Sequence, residues 1–435
     1  MKKFIFKVIF LGICVLFLYS LIQANNSNKI LSIKYDENKV IVKFDPKFVG
    51  DDVYCILTTK ASVPSFDDDN WISVYNSECI MDFKNEEHYN LFVRNSNELI
   101  HSYSSNDGML FDINLVKDKI YVAINGKYDI KYNYKAIGVY DDIEYVSSNE
   151  NIFSINDGVI VGKSVGEANL VVKSGDVSDE LVVVVTDLIT TLPKSYDFDK
   201  KNLGCAIHSK AEADLLDEIL KDRINDAGYK TRAGVVEAAR FLTLEFPYRI
   251  NYFYENGRQT TNNVDGEGRY YHKGLYLHKT DYSKITGSAT GPKMWGCSLY
   301  SNPVDRYDKN GLDCSGFVSW ALLNGGFDVK DVGAGLSVNS DLTDFGKLTK
   351  LTNSIATGNS IKVGDLLHSY AAGGHIGIII GKTTNYYYVA QALWYDEVGV
   401  IISKIKKNKL ASEFTEVVYM DKYYKKDGNL TDMWY

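Results

Sequence analysis

The sequence lacks the patterns expected of a zinc site or of a nucleic-acid-binding protein. Its seven histidines and six cysteines form no Cys-x-x-Cys or His-x-x-x-His pair, the spacings that zinc sites commonly use. The formal net charge is -8, from 48 basic and 56 acidic residues, which argues against a nucleic-acid partner. The same excess argues against broad electrostatic adhesion to an anionic surface. We therefore predict that the protein binds no metal and no nucleic acid. Any contact with an anionic surface should be made through local patches.

Long apolar runs are absent except at the N-terminus. Lysines at positions 2, 3 and 7 precede an apolar run over residues 8–22, a pattern typical of a signal peptide, which we assign to residues 1–24. An uncleaved membrane anchor over residues 4–22 is the alternative. Both interpretations place the rest of the chain outside the cytoplasm. Cys14 follows Ile13 rather than a small residue, which argues against a lipoprotein anchor.

Cysteine is scarce, and its count beyond the N-terminal segment is odd. The remaining cysteines are Cys55, Cys79, Cys205, Cys297 and Cys314. In an exported protein an odd number leaves one thiol free. Pairing Cys55 with Cys79 and Cys205 with Cys297 would leave Cys314 as that thiol. Spacing gives no disulfide geometry, so both pairings stay open.

The length of 435 residues predicts about three domains, and the first two have the patterns of β-sandwiches. Residues 25–107 carry short alternating apolar strands separated by turns, weakly similar to a fibronectin type III module. The loop Asp67-Asp68-Asp69 offers calcium ligands, although such loops are more often simply solvated.

Residues 108–188 resemble the bacterial Ig-like modules of surface proteins. The similarity rests on Ser147-Ser148-Asn149, the hairpin turn Asp157-Gly158 and the strand beginning at Gly166. Such modules serve mainly as spacers or adhesion units. A polar linker over residues 189–204, containing Pro193, separates this module from the last domain.

The last domain, residues 205–435, begins with two predicted scaffold helices. Ser209 and Glu212 form a capping box, and a second helix is predicted over residues 233–244. The tyrosine-rich stretch 251–282 shows no periodicity and is long for a connection, so it is a functional loop or a lid. Its two histidines, His272 and His278, are more simply interpreted as exposed loop residues.

The strongest chemical signal is the stretch Gly311–Val318, a loop that turns directly into a helix. Asp313 can cap the first helical turn, which puts Cys314 at the helix N-terminus. Unpaired N–H groups and the helix dipole favour a thiolate there, the nucleophilic form of cysteine. A buried, unreactive cysteine at the start of an ordinary helix is the alternative.

Two apolar strands downstream favour the nucleophile. His375 opens the strand 375–380 after a flexible glycine-bearing loop, a position suited to a general base. Gln391 is the polar residue in the apolar half of the next strand, 386–393, where its carbonyl could orient the imidazole. His368 is the competing candidate for the base, but it lacks the glycine–histidine–strand setting.

Three ordered motifs resemble the NlpC family of bacterial cell-wall cysteine peptidases. They are Asp313–Val318, Gly364–Leu367 and His375–Ile378, all in the last third of the chain. The family's upstream Tyr-x-Trp-Gly-Gly stretch is Pro292–Cys297 here, which keeps Trp295 and Gly296 and lacks the tyrosine. The turn 382–385 after the histidine strand is also longer than usual.

The strand patterns predict two N-terminal β-sandwiches, and the resemblance implies a C-terminal α+β papain-like cysteine peptidase domain, so the chain is predicted to be multidomain. It implies Cys314 as nucleophile, His375 as base and Gln391 as the third residue, with no cofactor. Peptidoglycan stem peptides would be the substrate, cleaved at the D-glutamyl–diamino acid bond, and the sandwiches would engage the wall. We further predict substrate contacts from four residues around the nucleophile and base: Asp313, Ser315, Trp295 and Gly374.

The implied location is the bacterial envelope, as a secreted or cell-surface protein. Two other functions remain open from the sequence. The same Cys–His chemistry serves amidases and acyltransferases. Alternatively, the chain is a surface adhesion or wall-binding protein with a degenerate peptidase domain.

Overall fold

The structure, a computed structural model, describes sixteen parts of the chain. These are residues 30–36, 39–44, 52–60, 62–82, 90–96, 99–104, 112–137, 143–174, 177–253, 274, 291–292, 294–298, 309–329, 342–370, 374–394 and 399–431. The predicted targeting segment 1–24, Cys14, His272 and His278 lie outside these ranges. Among the described residues, no helix has the length and hydropathy of a membrane span.

The chain divides into two compact units. The first comprises Met1–Val122 with Lys127–Val185, and the second comprises Ala123–Gly126 with Thr186–Tyr435. The segment 189–204, predicted as a linker, falls in the second unit. Backbone hydrogen bonds at 2.8 Å from Thr190 to Glu245 and at 2.9 Å from Leu203 to Arg249 join it to the end of the helical segment at Glu245 and to the residues that follow.

The first unit begins with two antiparallel sheets that enclose a common core. The strands are β1 (Ile30–Asp36), β2 (Lys39–Phe44), β3 (Tyr54–Thr58), β4 (Ile72–Ser73), β5 (Glu78–Asp82), β6 (Asn90–Arg94) and β7 (Leu99–Ser104). One sheet has the order β1-β2-β5 and the other β4-β3-β6-β7. Val42 and Met81 of the first sheet and Cys55 and Leu91 of the second belong to one buried cluster, which confirms the predicted sandwich. The disulfide Cys55–Cys79 joins the two sheets across this core.

The rest of the first unit is a second β-rich body. Its strands are β8 (Asp112–Leu115), β9 (Lys119–Ala123), β10 (Lys127–Asp129), β11 (Tyr134–Ile137), β12 (Glu144–Ser147), β13 (Phe153–Asn156), β14 (Val159–Gly162), β15 (Gly166–Ser174) and β16 (Val177–Thr186), with a 3-10 turn at Ile130–Tyr132. The sheets have the orders β10-β14-β13, β11-β8 and β12-β15-β16-β9. Asp157 and Gly158 both have positive φ, as the predicted β13–β14 hairpin turn requires.

The second unit combines helices with one antiparallel sheet. The helices are Lys210–Ala227, Arg232–Arg240, Cys314–Asn324, Asn353–Thr357, Leu410–Glu413 and Asp421–Tyr424, with 3-10 turns at Leu342–Asp344 and Lys407–Lys409. Ser209 and Glu212 form the predicted capping box of the first helix. The second helix was predicted to reach residue 244, but its α-helical part ends at Arg240 and Phe241–Glu245 continue as a π-helical turn.

The sheet of the second unit holds the predicted histidine and glutamine strands at adjacent positions. Its strands are β17 (Lys347–Lys350), β18 (Leu366–Ser369), β19 (His375–Lys382), β20 (Tyr386–Leu393), β21 (Gly399–Lys406) and β22 (Glu416–Tyr419), in the order β17-β22-β18-β19-β20-β21. The helix Cys314–Asn324, called the cysteine helix below, packs against β19 and β20. The second unit therefore combines helices and an antiparallel sheet as an α+β domain does. Cys314 faces the central strands of that sheet.

A buried ionic cluster fixes the chain around the start of β18. The guanidinium of Arg232, 3% exposed, lies 3.1 Å from the carboxylate of Asp365, 1% exposed. Asp365 also accepts backbone N–H bonds from Lys362 at 2.8 Å and from Met420 at 3.0 Å. Arg232 further pairs with two exposed acids, Asp421 and Asp427. Asp365 of the Gly364–Leu367 motif thus connects the second helix, β18 and the C-terminal segment.

A disulfide, Cys205–Cys297, connects the beginning of the second unit to the segment before the cysteine helix. Both pairings that the sequence left open are therefore present, and Cys314 is the free cysteine among the described residues. Gly296 beside this disulfide has φ +80, and a Cβ there would lie 2.6 Å from the carbonyl oxygen of Leu203. The position therefore requires glycine.

Candidate active site

The cysteine helix begins at Cys314 because Asp313 caps it. Asp313 has an extended backbone, φ -82 and ψ -177, and its carboxylate accepts the backbone N–H of Gly316 at 2.7 Å. The same oxygen accepts the Ser315 hydroxyl at 3.2 Å. These bonds hold the first helical turn in place. Cys314 therefore occupies the helix N-terminus, as predicted.

The Cys314 thiol is buried, with the residue 8% exposed. Burial raises the pKa of the thiol to about 12, and the neighbouring Asp313 carboxylate adds to the rise. Hydrogen bonding from the backbone N–H groups of Ile376, Ser315 and Cys314 itself opposes it. The pKa therefore shifts upward, opposite to the direction expected for a thiolate at a helix N-terminus, because loss of hydration outweighs these N–H bonds. The Ile376 N–H also places the sulfur beside the peptide group that follows His375.

His375 and Gln391 lie in direct contact. The imidazole Nε2 of His375 is 2.7 Å from the Gln391 side-chain oxygen Oε1. A carbonyl oxygen only accepts, so we assign the proton of the neutral ring to Nε2, and Nδ1 keeps its lone pair. Burial lowers the pKa of His375, the Gln391 hydrogen bond opposes that effect, and His368 adds to the lowering. The resting pair is a neutral thiol and a neutral imidazole.

The strand register explains how Gln391 reaches the ring. On β19 and β20, Ile378 pairs with Ala390, and extending this register puts Gln391 opposite Gly377. A Cβ at Gly377 would lie 3.3 Å from the Cβ of Gln391 and 2.8 Å from the Cγ1 of Val389. Because position 377 has no side chain, the Gln391 amide can lie diagonally across to His375, two residues along the same face.

Sequence reasoning missed two further neighbours of this pair. The Gln391 side-chain NH2 donates to the Ser403 hydroxyl on β21 at 2.7 Å. Phe414 stacks on the imidazole of His375, with ring centroids 5.9 Å apart and planes inclined by 27°. Ser403 lies two positions from Ile401, which pairs with Gln391, so it shares the same sheet face. This shared face is the signal that could have identified Ser403.

The four predicted substrate contacts are mostly engaged in local structure. Asp313 and Ser315 are each 5% exposed and form the helix cap. Trp295 is 3% exposed and lies against Trp320, with ring centroids 6.3 Å apart. Gly374 is half-buried with φ +94, directly before His375. Their role toward a substrate stays a prediction, and among these four Gly374 has the most accessible position.

His368, the competing base, has a different partner. It is 2% exposed, and its Nδ1 is 3.1 Å from a carboxylate oxygen of Glu416 on the neighbouring strand β22. Its ring also meets Tyr370 edge-on, with centroids 4.4 Å apart. On the antiparallel β18–β19 pair His368 lies opposite Ile376 and not opposite His375. The Glu416 contact indicates a structural histidine.

A search of the described part of the chain finds no cluster of three or more His, Cys, Asp or Glu side chains that could hold a metal ion. In the acidic loop 67–69, Asp68 accepts the backbone N–H of Asn70 at 3.0 Å and the Asn70 side-chain NH2 at 2.7 Å. That loop has the hydrogen bonds of an ordinary Asx turn.

Known proteins add little to this description. No family model matches the sequence, and no curated protein matches it. A fragment of the S-layer protein SbsC is 11% identical over 36% of this chain and 23% of its own length, with a TM-score of 0.16. The C-terminal fragment of intimin, solved with its receptor's binding domain, is 16% identical over 44% and 78%, with a TM-score of 0.17. The titin Ig tandem A164-A165 is 11% identical over 34% and 86%, with a TM-score of 0.14. Scores this low support no inference about fold or function.

Proposed function

We propose that this chain is an exported cysteine peptidase of the NlpC type that cleaves peptidoglycan stem peptides. The observation that carries the proposal is the His375–Gln391 contact of 2.7 Å beside a cysteine at a helix N-terminus. The Ile376 N–H hydrogen bond to the Cys314 sulfur supports the juxtaposition of Cys314 with the histidine strand. A nucleophile, a base and a group that orients the base are the parts that thiol-based acyl transfer requires.

Catalysis would begin from the neutral pair. As the Cys314 sulfur attacks the substrate carbonyl carbon, its proton passes to Nδ1 of His375, and Nε2–H remains bonded to Gln391 Oε1. The resulting imidazolium donates through both nitrogens, so Gln391 need not turn during the step. The carbonyl π electrons would move to oxygen, where the backbone N–H of Cys314, which lies in the first helical turn and has no helical carbonyl as acceptor, is the proposed donor to the oxyanion.

Collapse of the tetrahedral intermediate would release the leaving amine, which takes the proton from His375. The acyl group stays on sulfur as a thioester. Water then attacks the thioester carbonyl, with His375 again accepting a proton, and the thiol leaves with that proton. The cycle consumes one water molecule and restores both groups. The D-glutamyl–diamino acid bond is the proposed point of cleavage.

The two β-rich bodies of the first unit would take no part in the catalytic reaction. We propose that they hold the peptidase at the bacterial envelope or engage the wall, after export directed by residues 1–24. The buried core shared by the first two sheets supports a rigid spacer module.

Digestion of purified peptidoglycan tests this function. The chain from residue 25 onward is compared with its Cys314→Ala variant and with Ser360→Ala, a change to an exposed hydroxyl that contacts Tyr419 at 3.1 Å. We expect soluble fragments cut after D-glutamate from the parent and from Ser360→Ala. We expect none from Cys314→Ala, because the nucleophile is missing. Mass spectrometry identifies the bond.

Other results would change the assignment. Fragments that require Cys314 but end at a different bond would favour an amidase. Products in which an added amine or hydroxyl replaces water would favour an acyltransferase. Absence of any Cys314-dependent product would refute the hydrolase and favour the adhesion or wall-binding interpretation.

A further inference from the structure

The hydrogen-bonded line from the base does not end at Gln391. It continues to the Ser403 hydroxyl, which accepts the Gln391 NH2 at 2.7 Å. His375, Gln391 and Ser403 lie on β19, β20 and β21, three adjacent strands of one sheet. Each contact is a diagonal one across a strand pair, on one face of the sheet. The line therefore depends on the register of the sheet.

Two hydrogen bonds, to His375 and to Ser403, hold the Gln391 amide in place. The residue is 5% exposed, so water cannot readily replace a lost partner. Its Oε1 accepts from His375 and its Nε2 donates to Ser403, so both ends of the amide are engaged. Gln side chains have three rotatable bonds, and a fixed position for Oε1 requires a second point of attachment. Ser403 supplies that point.

We propose that Ser403 is a positioning residue for His375 and acts only through Gln391. It holds the amide so that Oε1 faces Nε2, which keeps the imidazole proton on Nε2 and leaves the lone pair on Nδ1, the nitrogen that acts as the base in the proposed mechanism. This inference deepens the proposed function and rests on it for the reaction, but its effect on the imidazole is a property of the protein alone.

The groups around His375 define what Ser403 can influence. Phe414 covers one face of the ring and carries no charge. His368 on β18 is a titratable neighbour that lowers the pKa of His375. The Cys314 thiol lies against β19, the strand of His375, where it accepts the Ile376 N–H. The Gln391 hydrogen bond acts in the opposite direction. Loosening Gln391 therefore removes support for the protonated ring.

The consequence of removing the Ser403 hydroxyl follows with a definite sign. In Ser403→Ala the pKa of His375 falls, because Oε1 no longer stays at hydrogen-bond distance from Nε2–H. The base is also less often in its productive position. General-base catalysis accelerates a reaction by about 10²–10⁴-fold, so a partial loss should lower kcat by about tenfold. KM should stay within about twofold of the parent value. Ser403→Thr keeps the hydroxyl, suits a strand, and retains parent behaviour.

A titration of His375 in the protein without substrate tests the inference. Nitrogen shifts of the imidazole are followed by NMR against pH in the chain from residue 25 onward, with His375→Gln used to assign the signals. We expect a lower pKa in Ser403→Ala than in the parent, and parent values in Ser403→Thr and in the control Ser360→Ala. An unchanged titration in Ser403→Ala would overturn the proposal, whether or not the protein proves to be a hydrolase.

A double-mutant cycle supplies the second arm. In a Gln391→Ala background, Ser403→Ala is expected to shift neither the pKa of His375 nor the residual rate any further. An additional loss of similar size in that background would show that Ser403 acts by another route and would overturn the proposal. Because the titration needs no substrate, failure of the peptidase function and failure of this inference give different results.

Discussion

At the scale of single residues, the ionisation state of Cys314 decides how the site can react. Its pKa of about 12 and the lowered pKa of His375 leave both groups neutral near pH 7. A preformed thiolate–imidazolium pair would need the opposite shifts. If the proposed peptidase function is correct, the reaction would start from neutral groups, with proton transfer accompanying sulfur attack.

This state predicts a particular pH profile for alkylation by iodoacetamide. Only the thiolate reacts, so the rate at Cys314 should rise about tenfold per pH unit from pH 7 to 10 without levelling off. The rate is measured by quenching samples at set times and quantifying the alkylated peptide by mass spectrometry, with the disulfides kept intact during labelling. A plateau below pH 8 would contradict the neutral resting thiol.

Asp313 offers the matched control for that measurement. Asp313→Asn keeps a side-chain oxygen for the cap but removes the charge that raises the thiol pKa, so alkylation at a given pH should be faster. Asp313→Ala also removes the charge and additionally lowers the free energy of unfolding by about 1 kcal/mol through loss of the cap. Equal alkylation rates in the parent and Asp313→Asn would exclude the carboxylate as a cause.

At the scale of elements, local patterns predicted the site's framework. The capping residue Asp313 predicted where the cysteine helix begins, and glycines and β-branched runs predicted the strands at His375 and Tyr386. Each of these signals lies within about ten residues of the feature it predicts. Gln391, singled out as the polar residue in the apolar half of its strand, does contact His375.

Partners distant in sequence could not be predicted in this way. Ser403 reaches Gln391 through the sheet register, and Phe414 reaches His375 from the end of a helix that follows the sheet strand β21, and no local pattern encodes either contact. The end of the second helix was also missed, because its α-helical hydrogen bonds give way at Phe241 to a π-helical turn within an unbroken apolar pattern. The Arg232–Asp365 contact joins residues 133 positions apart, so no local pattern predicts it either.

That contact leads to a stability prediction for the β18 region. Arg232→Met should lower the free energy of unfolding by about 3–5 kcal/mol, because it leaves the buried Asp365 carboxylate without its guanidinium. Urea denaturation followed by circular dichroism measures the loss. Lys362→Met is the control: this half-exposed lysine pairs with the exposed Asp421, so the loss should stay within about 1 kcal/mol. Similar losses in both variants would refute a dominant buried pair.

At the scale of the whole molecule, each unit has its own disulfide. Cys55–Cys79 closes a separation of 24 residues in the first unit, and Cys205–Cys297 closes 92 in the second. Loop-closure entropy assigns about 3 kcal/mol to the first and about 4–5 kcal/mol to the second. The second unit should therefore depend more strongly on oxidation.

Paired alanine variants test this difference. Replacing Cys205 and Cys297 should destabilise the second unit and leave the first unchanged, and replacing Cys55 and Cys79 should do the reverse with a smaller loss. Hydrogen exchange read by mass spectrometry separates the two units in one protein. Loss of protection in both units from either pair would contradict their independence.

The Cys205–Cys297 disulfide also has a consequence for oxidative folding. Cys314 follows Cys297 by only about 17 residues, so the unfolded chain closes the wrong Cys297–Cys314 ring more easily than the native one, by about 1.5 kcal/mol or roughly tenfold. An early oxidant would thus tend to capture the proposed nucleophile. Once the cysteine helix has packed on the sheet, burial keeps Cys314 a thiol, and thiols do not attack disulfides. The burial that makes Cys314 slow to react at rest therefore also protects it from disulfide exchange, but only after the cysteine helix has packed.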